Sequence, residues 1–294
     1  MSFLSLVKGT IELKDVIKWN LKSRIRGEVP TKPYNMGEKI VILGNGPSQK
    51  LFWANKKNFD DYDILTMNSF PYRAKKEFFE IKPKYYCAID PVLFDRERAE
   101  KAGELMDYEG IREELQKVDW EMYLITWTGV SFKINNTQIK EIHLAKPICE
   151  SVNEKIKYKL SLKNFTGLRA ETVALPSILF AIIFGYREVA LFGIDNDTFK
   201  QIRFNEHGKI VGETWHSYDD QKADTYMLRD DPDGNHFIYE IFEGYMWMFK
   251  EYIYLHELAE YAKCNIVNFN QNSYCDAFDK NGKYMQLKPE EKVR

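Results

Sequence analysis

The run Ile40-Val41-Ile42-Leu43-Gly44-Asn45-Gly46-Pro47-Ser48 decides the fold of this chain. Its four consecutive apolar residues read as a short strand buried on both faces, the form strands take inside a parallel sheet. The strand breaks at two glycines and a proline, and Ser48 then reads as the N-cap of a helix. Such a joint suits an anion. Glycine lets a ligand approach the backbone closely, and the N–H groups of a helix start carry partial positive charge that attracts phosphate. An ordinary strand-to-helix turn uses the same glycines. Asn45 distinguishes the two readings, because an amide that both donates and accepts at the mouth of a sheet adds nothing to a plain turn.

Outward from this turn, strand-like and helix-like segments alternate. Strands are expected at 39–43, 62–66, 84–89, 121–127, 140–145, 188–193 and 264–268, with helices in most of the gaps. The alternation predicts an α/β fold: a Rossmann-like, mostly parallel sheet with helices on both faces and ligands at the carboxyl ends of the strands. Ala170 to Tyr186 reads as a buried helix that Gly185 stops, and a long helix is expected from about Phe237 to Ala262. Between them, residues 196–235 are polar and poor in core residues, which suits a lid over a site.

The first 36 residues form a separate extension, followed by one catalytic domain over 37–294. In the extension Leu13, Ile17, Leu21 and Ile25 recur every four residues, and Lys14, Lys18 and Lys22 form a parallel row. This is a basic amphipathic helix. Its apolar row either packs on the body or a second subunit, leaving homo-oligomerisation open, or docks residues 1–26 peripherally on anionic lipid.

Bulk properties narrow the classes. A formal net charge of −2 gives no support to a nucleic-acid binder, which normally shows a basic excess. Cys87, Cys149, Cys264 and Cys275 form no CxxC pair and have no metal spacing, so they read as reduced thiols of a cytoplasmic protein. No stretch has the form of a signal peptide, and the apolar run Ile178 to Phe184 is too short to span a bilayer.

Three more strand ends carry polar residues of the kind that read a ribose or base: Asn68 and Ser69, then Asp90, then Gly193-Ile194-Asp195. Each residue alone suits a turn; the set points to a cleft. Gly44-Asn45-Gly46-Pro47-Ser48 resembles the opening motif of the bacterial sialyltransferases of glycosyltransferase family 42. The spacing to Met67-Asn68-Ser69-Phe70, to Ala88-Ile89-Asp90-Pro91, and to Phe184-Gly185-Tyr186 through Gly193-Ile194-Asp195 is similar to theirs. The resemblance covers scattered blocks of residues 39–200. It implies a GT-A-like variant of the Rossmann architecture, a CMP-sugar donor, a glycan or glycolipid acceptor, and transfer without a metal or other cofactor.

Asn45 and Asn68 match the family's asparagines that contact the nucleotide sugar, whereas Asp90 stands where the family has asparagine. Thr172 aligns with a threonine that meets the sugar carboxylate, but Val173 and Ala174 follow it in place of Ser-Gly. Arg169 nearby could take over that carboxylate. The family's leaving-group tyrosines after Gly-Ile-Asp are replaced by Asn196, Asp197 and Thr198, and His216 and Tyr218 are able to do their work. Direct displacement also needs a base for the acceptor hydroxyl, and a histidine suits that task. The resemblance points to His236, with His216 as its competitor. His143 and His256 read as structural and His207 as solvated.

Asp195-Asn196-Asp197 has the spelling of a metal-binding D-x-D, but the single phosphate of a CMP-sugar needs no such clamp. The leading reading is a glycosyltransferase that moves a CMP-activated acidic sugar, sialic acid or a nonulosonic or Kdo-like relative, onto a surface glycan such as lipopolysaccharide or capsule. The enzyme would work at the inner face of the cytoplasmic membrane. The alternatives are a pyrophosphokinase-like enzyme of similar architecture and a nucleotide-binding module without catalysis.

Overall fold

A computed structural model describes residues 3–25, 37–214, 217, 223–226 and 237–280. Seven parallel strands form the central sheet: β1 (Lys39–Leu43), β2 (Asp63–Met67), β3 (Tyr85–Cys87), β4 (Met122–Trp127), β5 (Ile139–Leu144), β6 (Glu188–Phe192) and, beyond a smaller sheet, β10 (Asn265–Asn268). All seven lie within a residue or two of the expected segments. Their order is β10-β6-β1-β2-β3-β4-β5. The chain thus runs outward from β1 to the β5 edge, then returns to the other side of β1. That reversal makes the carboxyl ends of β1 and β6 the topological switch point, where open α/β sheets bind ligands.

The strands alternate their side chains between two cores. Ile40 and Ile42 face the helices α7 (Glu154–Leu162), α8 (Ala174–Phe184) and α9 (Ile238–Ala262), packing with Leu179, Ile182 and Leu255. Val41 and Leu43 face the opposite layer with Phe52 and Phe59. That layer holds α2 (Lys50–Asn55), α3 (Phe70–Arg73), α4 (Lys75–Ile81), α5 (Arg96–Lys101) and α6 (Leu105–Gln116). Both sheet faces are therefore covered, and β1 is wholly buried from Ile40 to Leu43. Gly185 ends α8 in the left-handed region at φ 91°, as its position predicts.

At the amino edge of the sheet, Asp63 Oδ2 accepts from the Tyr186 hydroxyl at 2.5 Å, Lys84 Nζ at 2.8 Å and the Gly37 N–H at 3.1 Å. This network ties Gly37, just before β1, and Tyr186, just before β6, to β2 and β3. The four cysteines are buried free thiols, and burial pushes Cys87 up to about 12. Among the described residues no helix is long and apolar enough to cross a membrane.

Two regions differ from expectation. The lid has a core of its own: β7 (Arg203–Phe204), β8 (Ile210–Thr214) and β9 (Ala223–Tyr226) form an antiparallel sheet in which Ile210 and Val211 are buried. The polar composition hid it because so small a sheet needs few apolar residues on one face. In α1 (Phe3–Ile25) the buried row is Gly9, Val16 and Ser23, whereas of the expected row Leu13 is half-buried and Ile17 and Leu21 are exposed, the side chain of Ile25 lying outside those described. On its body side Glu12 accepts from the Ser151 N–H at 2.7 Å, Trp19 Nε1 donates to Thr128 Oγ1 at 2.8 Å, and Asn20 Nδ2 donates to the Phe165 carbonyl at 3.0 Å.

Candidate functional site

The turns that follow β1 and β6 lock together. Gly44 N donates to the Phe192 carbonyl at 2.7 Å, Gly46 N to the Gly193 carbonyl at 3.0 Å, and Gly193 N to Ser48 Oγ at 3.1 Å. A Cβ on Gly44 would overlap the Gly193 carbonyl, and one on Gly46 would overlap Asp195 Oδ2. Gly193 adopts φ 68°, and a Cβ there would strike the Gly44 carbonyl. The glycines are thus required by the approach of one turn to the other.

Asp195 occupies the place the sequence offers to a phosphate. Its Oδ2 accepts the Ser48 N–H at 3.2 Å, and its other oxygen accepts from Asn270 Nδ2. Ser48 is therefore not a helix N-cap. It lies inside a single 3-10 turn, Pro47–Gln49, whose capping position is Gly46 with no side-chain cap. A carboxylate from the same chain reaches the orphan N–H before any ligand does. Burial raises the Asp195 pKa, while the hydrogen bonds from Ser48 and Asn270 oppose that shift. Both Asp195 oxygens accept hydrogen bonds, and Asp197 meets Lys200 at 3.4 Å.

The open chemistry lies one strand over. Asn45 Nδ2 donates to the Met67 carbonyl at 3.3 Å, which joins the ends of β1 and β2 and fixes the amide's orientation. Among the described residues its Oδ1 is buried with no donor, and Asn68 Oδ1 is likewise buried and unmatched. Asn68 is in the left-handed region at φ 48°, held by its N–H to the Cys87 carbonyl at 3.0 Å and by the Tyr86 hydroxyl on its own carbonyl at 2.7 Å. Two buried acceptors without donors among the described residues, at the carboxyl ends of adjacent central strands, are costly unless something donates to them.

The lid reaches the same place. Ser217 N donates to the Asn45 carbonyl at 2.7 Å and Ser217 Oγ to Gln49 Oε1 at 3.1 Å. Gln49 in turn donates to the Gly44 carbonyl at 2.8 Å. At the lid's root, Thr198 Oγ1 and the Tyr245 hydroxyl lie 2.8 Å apart, and Phe199 packs edge-on against Tyr245 and Tyr274.

The remaining candidates separate. Asp90 caps the next turn by accepting the Val92 N–H at 3.2 Å, an adequate structural role in itself. Ser69 precedes α3 without capping it through its side chain. Ile194 is buried, and its carbonyl accepts from Ser273 Oγ at 2.5 Å. Thr172 stands before the N-terminus of α8. Arg169 is committed elsewhere: its Nε donates to Glu150 at 2.8 Å, and its guanidinium lies over the Trp247 ring at 4.0 Å. The carboxylate it holds is the protein's own. His236, His216 and Tyr218 lie outside the described residues.

Asn270, Ser273, Tyr274, Gln49 and Ser217 are the parts of the site that the sequence reading missed. The first three follow β10, and the rule used for the other strand ends would have found Asn270 in Asn268-Phe269-Asn270.

This is an α/β sheet of Rossmann-like topology with a small antiparallel sheet inserted between β6 and α9. No known protein family matches the chain, and no curated protein sequence does. Among solved structures, the MAf glycosyltransferase from Magnetospirillum magneticum AMB-1 is similar with a TM-score of 0.49 at 12% identity, over 89% of this chain and 36% of that one. The chain spans about a third of that protein's length.

Proposed function

We propose that the protein is a glycosyltransferase whose donor is a CMP-activated acidic sugar and whose acceptor is a hydroxyl of a surface glycan or glycolipid. The observation that carries this reading is the pair of unmatched oxygens, Asn45 Oδ1 and Asn68 Oδ1. They lie at the carboxyl ends of adjacent strands, beside the Asn45 carbonyl that accepts from the Ser217 N–H, and the amine and hydroxyl groups of a nucleoside supply the donors they lack. The resemblance of Gly44 to Ser48 and of Gly193 to Asp195 to the sialyltransferase motifs selects CMP over other nucleotides. Because Asp195 fills the N–H position of the glycine turn, the donor's phosphate is met by the lid, where His216 and Tyr218 lie in sequence.

In direct displacement the acceptor oxygen forms a bond to the donor's anomeric carbon as the bond from that carbon to the phosphate oxygen breaks. The electron pair leaves with CMP, and His236, or His216 in its stead, takes the hydroxyl proton. Thermal shifts with CMP, UDP, GDP, ATP and S-adenosylmethionine test the donor. Stabilisation by CMP alone is expected; stabilisation by UDP but not CMP defeats the reading, and by ATP but not CMP favours a pyrophosphokinase-like enzyme. His236→Ala is expected to abolish transfer and leave CMP binding near normal. If His216→Ala does so instead, the base assignment moves there.

A further inference from the structure

The outward face of α1 joins an apolar row to a basic one, and none of the described residues covers it. Ile11, Ile17 and Leu21 are 55%, 59% and 58% exposed. Lys8, Lys14, Lys18 and Lys22 are exposed along the same helix, against one exposed acid, Asp15. Among the described residues the lysines at 14, 18 and 22 lie one position on from Leu13, Ile17 and Leu21, so the two rows run side by side. The opposite face is spent on the body through Gly9, Glu12, Val16, Trp19 and Asn20. The body thus takes one side of the helix and leaves the other as a basic, apolar-flanked strip.

We infer that this strip docks the protein on an anionic lipid surface, independently of which nucleotide the cleft takes. Charge complementarity selects the occupant. A row of lysines is attracted to an anionic leaflet, while Ile17 and Leu21 enter the headgroup boundary. A second copy would instead set these lysines against each other. The docking also orients the site. Thr128 follows β4, Ser151 follows β5, and Phe165 follows α7 next to Asn164, which accepts from the Ala145 N–H and donates to the His143 carbonyl at the end of β5, so α1 rests on the carboxyl rim of the sheet, the rim that carries Asn45 and Asn68. A docked helix brings that rim to the membrane, where a lipid-linked acceptor would lie.

The test is co-sedimentation of the full chain with phosphatidylcholine vesicles, with and without about one-third phosphatidylglycerol, at low and high salt. Binding is expected only to the anionic vesicles and is weakened by salt. Lys14→Glu/Lys18→Glu/Lys22→Glu is expected to lower the partition at least about a hundred-fold, from roughly five-fold per lysine. Ile17→Ser/Leu21→Ser should lower it with the lysines intact. Both variants leave the body-facing contacts alone, and an unchanged thermal melt confirms folding. The inference is overturned if the wild type ignores anionic vesicles, binds neutral ones equally well, or binds as before with the lysines reversed. It also falls if Ile17→Ser/Leu21→Ser dissociates a dimer, which assigns the face to a second copy. CMP thermal shifts on the same samples report on the cleft separately.

Discussion

Replacing Gly46 with alanine distinguishes a turn closed by Asp195 from a turn kept open for a ligand. Gly46 has φ −68° and ψ 159°, open to any residue, so the cost is steric. The new Cβ overlaps Asp195 Oδ2 and lies 2.8 Å from both Asp195 Cγ and the Gly193 carbonyl. Relief requires the carboxylate to move and loosen its bond from Ser48, worth about 2 kcal/mol for a charged acceptor, with about 1 kcal/mol of residual overpacking. The sum of about 3 kcal/mol corresponds to a melting temperature lower by about 5 °C. Asp195→Ala alone strands the Ser48 N–H and the Asn270 amide, at about 3 kcal/mol. In that background Gly46→Ala meets only the Gly193 carbonyl and should cost about 1 kcal/mol. A double-mutant cycle by urea denaturation of the ligand-free protein should therefore show a coupling of about 2 kcal/mol. Additivity within about 0.5 kcal/mol refutes the reasoning, as does a Gly46→Ala protein of unchanged stability that has lost only nucleotide affinity.

Further outcomes follow from other parts of the structure. Asn45→Ala combined with Asn68→Gly, the glycine chosen because residue 68 sits at φ 48°, should weaken CMP binding by at least about ten-fold by calorimetry, with stability lowered by no more than about 1 kcal/mol. Tyr186→Phe removes the hydroxyl shared with Asp63 and Tyr85 at the opposite edge of the sheet, so it should cost about 2 kcal/mol and leave nucleotide affinity unchanged. Glu251, buried on α9 with Oε1 accepting the Arg169 N–H at 3.2 Å and Oε2 unmatched, has its pKa raised by burial. A raised carboxylate favours folding when protonated, so its penalty is absent below its unfolded pKa and grows as pH rises through the folded value. Glu251→Gln should therefore flatten the fall in stability between about pH 4 and neutrality; an unchanged slope in denaturation at several pH values counts against it.

What the sequence alone determined is what neighbouring residues along the chain encode. The strands of the main sheet were readable from their apolar residues, unbroken in β1 and alternating with polar ones in the edge strand β5, and Gly185 marked the end of α8 because a left-handed C-cap is a local event. Asn45, Asn68 and Gly193 were readable by position, one or two residues past strand ends. The role of Asp195 was not. Its bond to the Ser48 N–H spans 147 residues, and only the return of β6 to the side of β1 brings a carboxylate to that turn. The turn first suggested a phosphate cradle; folding made it a closed joint and moved the unmatched groups to Asn45 and Asn68. The same holds for α1, where periodicity showed two faces but could not choose between them. Ser151, Thr128 and Phe165 made the choice, because a helix buries the side for which the folded body offers hydrogen-bond partners and leaves the other to solvent or to whatever docks there.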